Sequence, residues 1–356
     1  MQVLVVVVVV VLAAVVVQCV CAARPVSRRR AAGRASIAEP LPREWSWRDV
    51  TARDAKVWSQ LHRSALPPGK YASDPVNQHL HGWCGACWLV AVVITLQDAL
   101  NIREAPAEPR VEDHRAFRFD LQRAADDASH TLARGIREQE AVGVMPGRAR
   151  PWNACMGGSP ELALEALLKG DLKLHLLHGD GVQSLRGPGT SPGGAAGGAA
   201  GGAAEGGVSY VRGFAQLDAG AAKSREDLDR LKRQVLRCPV VVNVRAQPLL
   251  EADAMGRVEA AAGRGGERDH VFSICGWRVL QGKECWIARN SWGDRGRSDI
   301  HQRPDDIRGC AASGNTCKTQ TITLESDNGF LYLPTDLALN VGGIYDAPSG
   351  WFSIDV

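Results

Sequence analysis

Several features common in other protein classes are missing from this chain. After the Cys84–Cys87 pair there is no second Cys-x-x-Cys and no His-x-x-x-His, so the usual zinc spacings are excluded and no metal or cofactor is expected. The formal net charge is only +3, and no run of basic residues has the length of a nucleic-acid footprint, so no nucleic-acid partner is expected. No Asn-x-Ser/Thr sequon occurs, which removes support for glycan-based sorting. Aromatic residues make up 6% of the chain, yet ten of them are Trp against six Phe and four Tyr. A Cys84/Cys87 redox pair of the thioredoxin kind would need a βαβ setting, and the flanking residues argue against one.

At 356 residues and 45% hydrophobic, the chain can bury a sizeable core, as one large two-lobed enzyme or as two ordinary domains. Residues 1–23 are almost wholly apolar and end in small residues suited to cleavage near Ala22 or Ala23, which reads as a signal peptide. The first charge is Arg24, so the usual positive start is missing, and an uncleaved anchor is the alternative reading. Either way the remainder faces an oxidising lumen in which disulfides form, with a lysosome, a vacuole or the extracellular space as destination. After cleavage no membrane association is expected.

Residues 24–40 are Arg-rich and without apolar periodicity, as in a short removable pro-segment. Trp45 and Trp47 alternate as in a half-buried strand at 41–50, and residues 51–70 read as an irregular loop insertion. Cys87–Arg103 is apolar nearly all round, and its length predicts a buried helix despite its β-branched content. Residues 112–141 place Leu121, Ala125, Ala128 and Leu132 at helical spacing. Ser159-Pro160 caps a helix to 169, and 225–237 is an amphipathic helix. Residues 187–207 are Gly/Ala repeats that cannot pack a core. Strand-like runs follow at 240–244, 270–277, 285–292 and 328–334, with an irregular insertion over about 294–327. Helices first and strands later predict an α+β protein with two segregated lobes.

The strongest chemical signal is Cys84-Gly85-Ala86-Cys87-Trp88, which fits the pattern Cys-Gly-Ser/Ala-Cys-Trp/Tyr. Cys87 opens an apolar helix, so its sulfur lies at the positive end of the helix dipole, which favours the nucleophilic thiolate. His270 opens an apolar strand and is the candidate base. Asn290, twenty residues on in Arg289-Asn290-Ser291-Trp292-Gly293, would orient the imidazole, and Trp292 would shield that bond from water. Gln78, nine residues before Cys87, is the candidate oxyanion donor together with the Cys87 backbone N–H.

This ordered set resembles the papain family of cysteine peptidases, and within it most closely the cathepsin X type. The resemblance rests on residues 41–50, Tyr71-Ala72-Ser73, Asn77-Gln78-His79, Trp83 through Trp88, Cys155-Met156-Gly157-Gly158, Asp269-His270-Val271 through Trp277, and Trp286 through Gly293. It implies a papain-like two-lobed fold: a helical left lobe of about 60–185, a β-barrel-like right lobe of about 208–356 joined by 41–50, and the active site in the cleft between them. It implies a Cys84–Cys155 disulfide and substrate contacts at Gly157, Gly158 and Trp292. Peptides or proteins would be the substrates, and cystatin-like molecules the inhibitors. Five residues, His79 through Trp83, separate Gln78 from Cys84 where ordinary papain-like endopeptidases have two. The longer loop resembles the cathepsin X mini-loop, whose His binds a substrate's terminal carboxylate, and His79 occupies that position. The resemblance therefore implies a carboxypeptidase, with an endopeptidase or a catalytically silent papain-fold binding protein as alternatives. His270 lies 183 residues beyond Cys87, more than the family's usual spacing of about 130–150. The excess falls in insertions around 104–153 and 185–207. After Gly293 the family's second Trp-Gly element is absent.

Overall fold

The apolar run Cys87–Arg103 is one helix, and every residue from Cys87 to Asn101 is buried. In the computed structural model it lies between a sheet and two further helices. Described residues are 40–62, 64–78, 84–105, 115, 117–140, 153–177, 210–217, 224–244, 246, 249, 252–253, 255–258, 270–293, 327–335 and 351–356, with only the backbone of 133–140 included. The expectations for 1–23, for 24–39, for the 187–207 repeat and for 294–326 fall outside them. Leu41–Val356 form one unit of the chain.

Five α-helices and seven strands are described: α1 (Ala52–His62), α2 (Cys87–Arg103), α3 (Leu121–Glu140), α4 (Pro160–Lys169) and α5 (Arg225–Arg237), with β1 (Trp45–Ser46), β2 (Gly213–Leu217), β3 (Val240–Val244), β4 (His270–Leu280), β5 (Lys283–Arg289), β6 (Phe330–Pro334) and β7 (Trp351–Asp355). The local chemistry explains the helix starts. Ser159 Oγ accepts from Leu162 N at 3.2 Å, Pro160 is the first helical residue and Gly170 ends α4 in the left-handed region. Ser224 caps α5 in the same way through Asp227 N, and Asp120 caps α3 through Arg123 N. Leu121, Ala125, Ala128 and Leu132 are all buried, as their spacing predicts.

Within 51–70, residues 52–62 are a helix rather than part of a loop insertion. Thr51 and Asp54 form a reciprocal cap, with Asp54 N donating to Thr51 Oγ1 and Thr51 N to Asp54 Oδ2, each at 3.2 Å, and α1 begins there. A Thr-x-x-Asp at this place is a helix-start signal in its own right. The strand expected over 41–50 shrinks to two residues, because Trp45 and Trp47 are both fully buried and the chain turns after Ser46. The last strand-like run before 294 also stops early, at Arg289, which leaves Asn290, Ser291 and Trp292 beyond the end of β5.

The strands make an open sheet in the order β2-β7-β3-β4-β5-β6, antiparallel throughout, so the barrel-like right lobe is corrected to a sheet that, among the described residues, does not close. β1 adds to the edge of β4 that β3 leaves uncovered, pairing Trp45 with Trp277 and Ser46 with Gly276. One face of the sheet packs on α1 and α5 through the buried rings of Trp45, Trp47, Trp277, Trp286 and Trp351, which accounts for the Trp-heavy composition. The other face presents Val241, Val271, Phe352 and Ile354 to α2, α3 and α4. Alternate residues of β3 thus enter different cores, as the two-residue period of a strand requires. The architecture is mixed α+β, helices on both faces of one antiparallel sheet.

Gly276 sits where β1 crosses β4, and a Cβ there would run into the Trp45 carbonyl oxygen. Gly276→Ala is expected to cost about 1–3 kcal/mol, because two backbones would have to separate. Thermal unfolding measures it, and an unchanged midpoint would contradict this packing.

Candidate active site

Cys87 is the first residue of α2, and it retains 8% exposure. The residue before the helix, Ala86, offers no side-chain cap, and the first turn carries no acidic residue. Neither feature neutralises the partial positive charge at this helix end, where the Cys87 sulfur begins. Cys84, one turn upstream, is joined to Cys155 by a disulfide. Gly85 N donates to Cys155 O at 2.8 Å, and Trp88 Nε1 donates to Ala154 O at 3.1 Å, so the Cys155 segment is fastened to the head of α2 on both sides. Gly157 has a φ of 103°, and a Cβ on Gly158 would come within 2.6 Å of the Trp88 indole. The pair of glycines therefore lets this segment lie flat on Trp88 beside the cysteine loop.

His270 opens β4, opposite Val244 of β3. Its Nε2 lies 2.7 Å from Asn290 Oδ1. That oxygen also accepts from Ser291 N at 2.9 Å, which fixes the orientation of the amide with its oxygen toward the ring. An amide oxygen can only accept, so His270 Nε2 carries the proton and Nδ1 is left for another partner. Trp292 lies over the imidazole, with ring centroids 4.3 Å apart and planes inclined by 31°. His270, Asn290 and Trp292 are all buried, so the bond between ring and amide is kept from water.

Gln78 joins this assembly to the cysteine loop. Its backbone N donates to Ser291 O at 2.9 Å, its Oε1 accepts from Ser291 Oγ at 2.6 Å, and its Nε2 donates to Cys84 O at 2.7 Å. Asn77 forms a bridge with Trp292 at the same place. One proton of the Gln78 amide is used on Cys84 O, and the second remains for a group bound near Cys87. Gln78, Cys84, His270, Asn290 and Trp292 are thus gathered by direct contacts, and Gly157 and Gly158 lie alongside through Cys155 and Trp88. His79 and Asp269 lie outside the described residues, as do Cys310 and Cys317.

Other participants had no role assigned from the sequence, although Arg289, Ser291 and Ser73 stand within the motif blocks. Arg289, at the end of β5, places Nη1 2.6 Å from Asp98 Oδ2 on α2, and both side chains are sealed from solvent. Burial pushes the Asp98 carboxyl above its ordinary range, against the pull of Arg289 and of two hydrogen bonds from Ser73. Ser291 holds Gln78, and Gly329 O accepts from Asn290 N at 3.0 Å. The signal available in the sequence was Asp98, an acid alone in an apolar helix, and Arg289, a base at the end of an apolar strand next to Asn290. Cys238, Cys275 and Cys285 are thiols. Burial raises the Cys275 thiol to about 12, so it holds its proton. Among the described residues no cluster could hold a metal ion.

The geometry can be set beside known proteins. Residues 194–306, the part that carries β2 to β5 with His270 and Asn290, match the model of the papain family of cysteine proteases. Solved structures that overlay on the chain include bromelain from Ananas comosus in complex with the E64 inhibitor, at 15% identity over 89% of this chain and 100% of that one, with a TM-score of 0.45. They also include the ragweed pollen allergen Amb a 11, a cysteine protease in its proform, at 15% identity over 90% of this chain and 68% of that one, with a TM-score of 0.46. A third is a structure from work on the mite allergens Blo t 1 and Der p 1, at 16% identity over 90% of this chain and 73% of that one, with a TM-score of 0.48. What the comparisons give is a likeness: residues 194–306 are similar to the papain family of cysteine proteases.

Proposed function

We propose that the chain hydrolyses peptide bonds with Cys87 as nucleophile, His270 as acid and base, Asn290 as the group that orients the ring, and Gln78 as oxyanion donor. The observation that carries this reading is the 2.7 Å contact of His270 Nε2 with Asn290 Oδ1 beneath Trp292, tied through Ser291 and Gln78 to the loop that precedes Cys87. The Cys87 thiolate attacks the peptide carbonyl carbon. Cys87 N–H and the second Gln78 amide proton bind the resulting oxyanion. His270 gives its Nδ1 proton to the departing amine, leaving a thioester. A water then attacks the thioester carbon while His270 takes its proton, and the sulfur leaves as thiolate with the acid product. Gly157 and Gly158, flat on Trp88, would let a substrate backbone pass closely. Peptides and proteins are the substrate class, and residues 1–23 support entry to the secretory pathway.

A thiol-directed epoxide tests the reading. One equivalent should be taken up at Cys87 with complete loss of peptidase activity. Uptake without any prior turnover would instead favour a binding protein that has kept the fold.

Within this class we infer a carboxypeptidase of the cathepsin X type. The support is the five-residue interval from His79 to Trp83 and the place of His79 directly after Gln78. A protonated His79 would bind a terminal carboxylate by a charge-assisted hydrogen bond, strongest in acid. A peptide should therefore be trimmed from its C-terminus at least about tenfold faster than its amidated twin, and His79→Ala should erase the difference. Equal rates on acid and amide, or internal cleavage first, would make the enzyme an endopeptidase.

A further inference from the structure

We infer that the buried Arg289–Asp98 pair is a positioning device for Asn290, an inference that rests on the peptidase reading above. Arg289 is the last residue of β5 and stands opposite Ser273 of β4. Its guanidinium reaches into the seam between the sheet and α2. Nη1 donates to Asp98 Oδ2 at 2.6 Å and to Ser73 O at 3.1 Å, and Nη2 donates to Ser273 Oγ at 3.2 Å. Asp98 Oδ1 accepts from Ser73 N at 2.8 Å and from Ser73 Oγ at 2.6 Å. Ser273 Oγ lies 2.7 Å from Thr95 Oγ1, one turn before Asp98. One planar fork thereby joins four segments: α2, the 73 loop, β4 and β5.

The neighbour of Arg289 in the chain gives the pair its role. Asn290 comes next, just where the ladder between β5 and β4 has ended. Its backbone is held on one side by Gly329 O, and on the other by its peptide link to Arg289. The place of the Asn290 amide relative to α2, and so to Cys87 at its head, is accordingly set by how Arg289 is seated on Asp98. Stability alone is a poor reason for such a pair. Removing two charges from water costs about as much as their attraction returns, and well-packed apolar residues often do as well. A fork that meets a carboxylate, a carbonyl and a hydroxyl at once fixes direction as well as distance, which apolar contacts do not. Arg289 and Asp98 touch neither substrate nor the reacting atoms; they act through Asn290.

Three variants separate position from stability: Arg289→Lys, Asp98→Asn, and the paired apolar replacement Asp98→Leu/Arg289→Met. Turnover is measured per active site titrated with the epoxide. In all three, kcat should fall about tenfold to a hundredfold with KM within about twofold, since small displacements of a catalytic group cost that much. The paired variant should do so while its thermal midpoint stays near that of the wild type. A paired variant that is stable and turns over at the wild-type kcat overturns the inference. If the pair does not fold, Arg289→Lys decides on the same terms. The second readout is the downfield proton resonance of His270 Nε2–H, present in the wild type and broadened or lost in Arg289→Lys. Wild-type protein that neither cleaves peptide nor takes the epoxide would remove the peptidase reading. The resonance would then judge the clamp alone, with its survival in Arg289→Lys counting against it.

Discussion

Cys87→Ala is expected to abolish the proposed peptide hydrolysis while leaving the fold intact. The sulfur is the only atom at the head of α2 that can form the thioester, and its removal leaves only binding and oxyanion stabilisation to act on substrate. The expected loss is about 10⁴-fold or more in kcat. The fold should survive because Cys87 lies at the start of α2, and alanine is the best helix former. Asn290→Ala is milder, about 10²-fold, because the ring keeps its place under Trp292 but loses the acceptor that fixes its tautomer. Steady-state kinetics on a fluorogenic peptide, with circular dichroism as the folding control, measures both. Turnover by Cys87→Ala at the wild-type rate would remove the mechanism.

The second large effect is on stability. The Cys84→Ala/Cys155→Ala double variant is expected to lose about 4 kcal/mol, the chain-entropy cost of opening a loop of this size, the two cysteines being 71 residues apart. That is a large share of the roughly 5–15 kcal/mol that holds a domain together. The double change is preferred to a single one because a lone thiol at 84 would compete with Cys87 for the epoxide and for oxidants. The bonds from Gly85 N to Cys155 O and from Trp88 Nε1 to Ala154 O remain in the variant. Activity per folded molecule should therefore fall less than stability does. Urea unfolding at fixed pH measures the loss, and a free energy within about 1 kcal/mol of the wild type would refute it.

Much of the candidate site was legible because each part is a contiguous run. Cys84 through Trp88, the apolar strand opened by His270 and the block Arg289 through Gly293 are motifs of neighbouring residues, and their chemistry can be read without knowing how they meet. The helix at Cys87–Arg103 was legible from its length, and α4 from Ser159-Pro160. The helix at Ala52–His62 was not, although Thr51 and Asp54 announce it. Its apolar stripe is thin, with Ala55 buried and Trp58 and Leu61 only partly so, and polar or charged residues fill most of the rest, so the period is weak beside the cap.

The amino-acid sequence by itself determined the residue types the proposed chemistry needs, their order, and the local propensities that place Cys87 at a helix start and His270 at a strand start. The tertiary structure alone decided how those residues are held. Ser291 meets Gln78 across 213 residues and Arg289 meets Asp98 across 191. It also decided that the sheet, among the described residues, stays open and that Asn290 lies just past the end of a strand rather than within it. The physical reason is range. Capping, helix length and strand alternation act over a few residues and leave their mark in sequence. A buried hydrogen bond or ion pair is made only when packing brings distant segments together, and its partners carry no shared pattern until then.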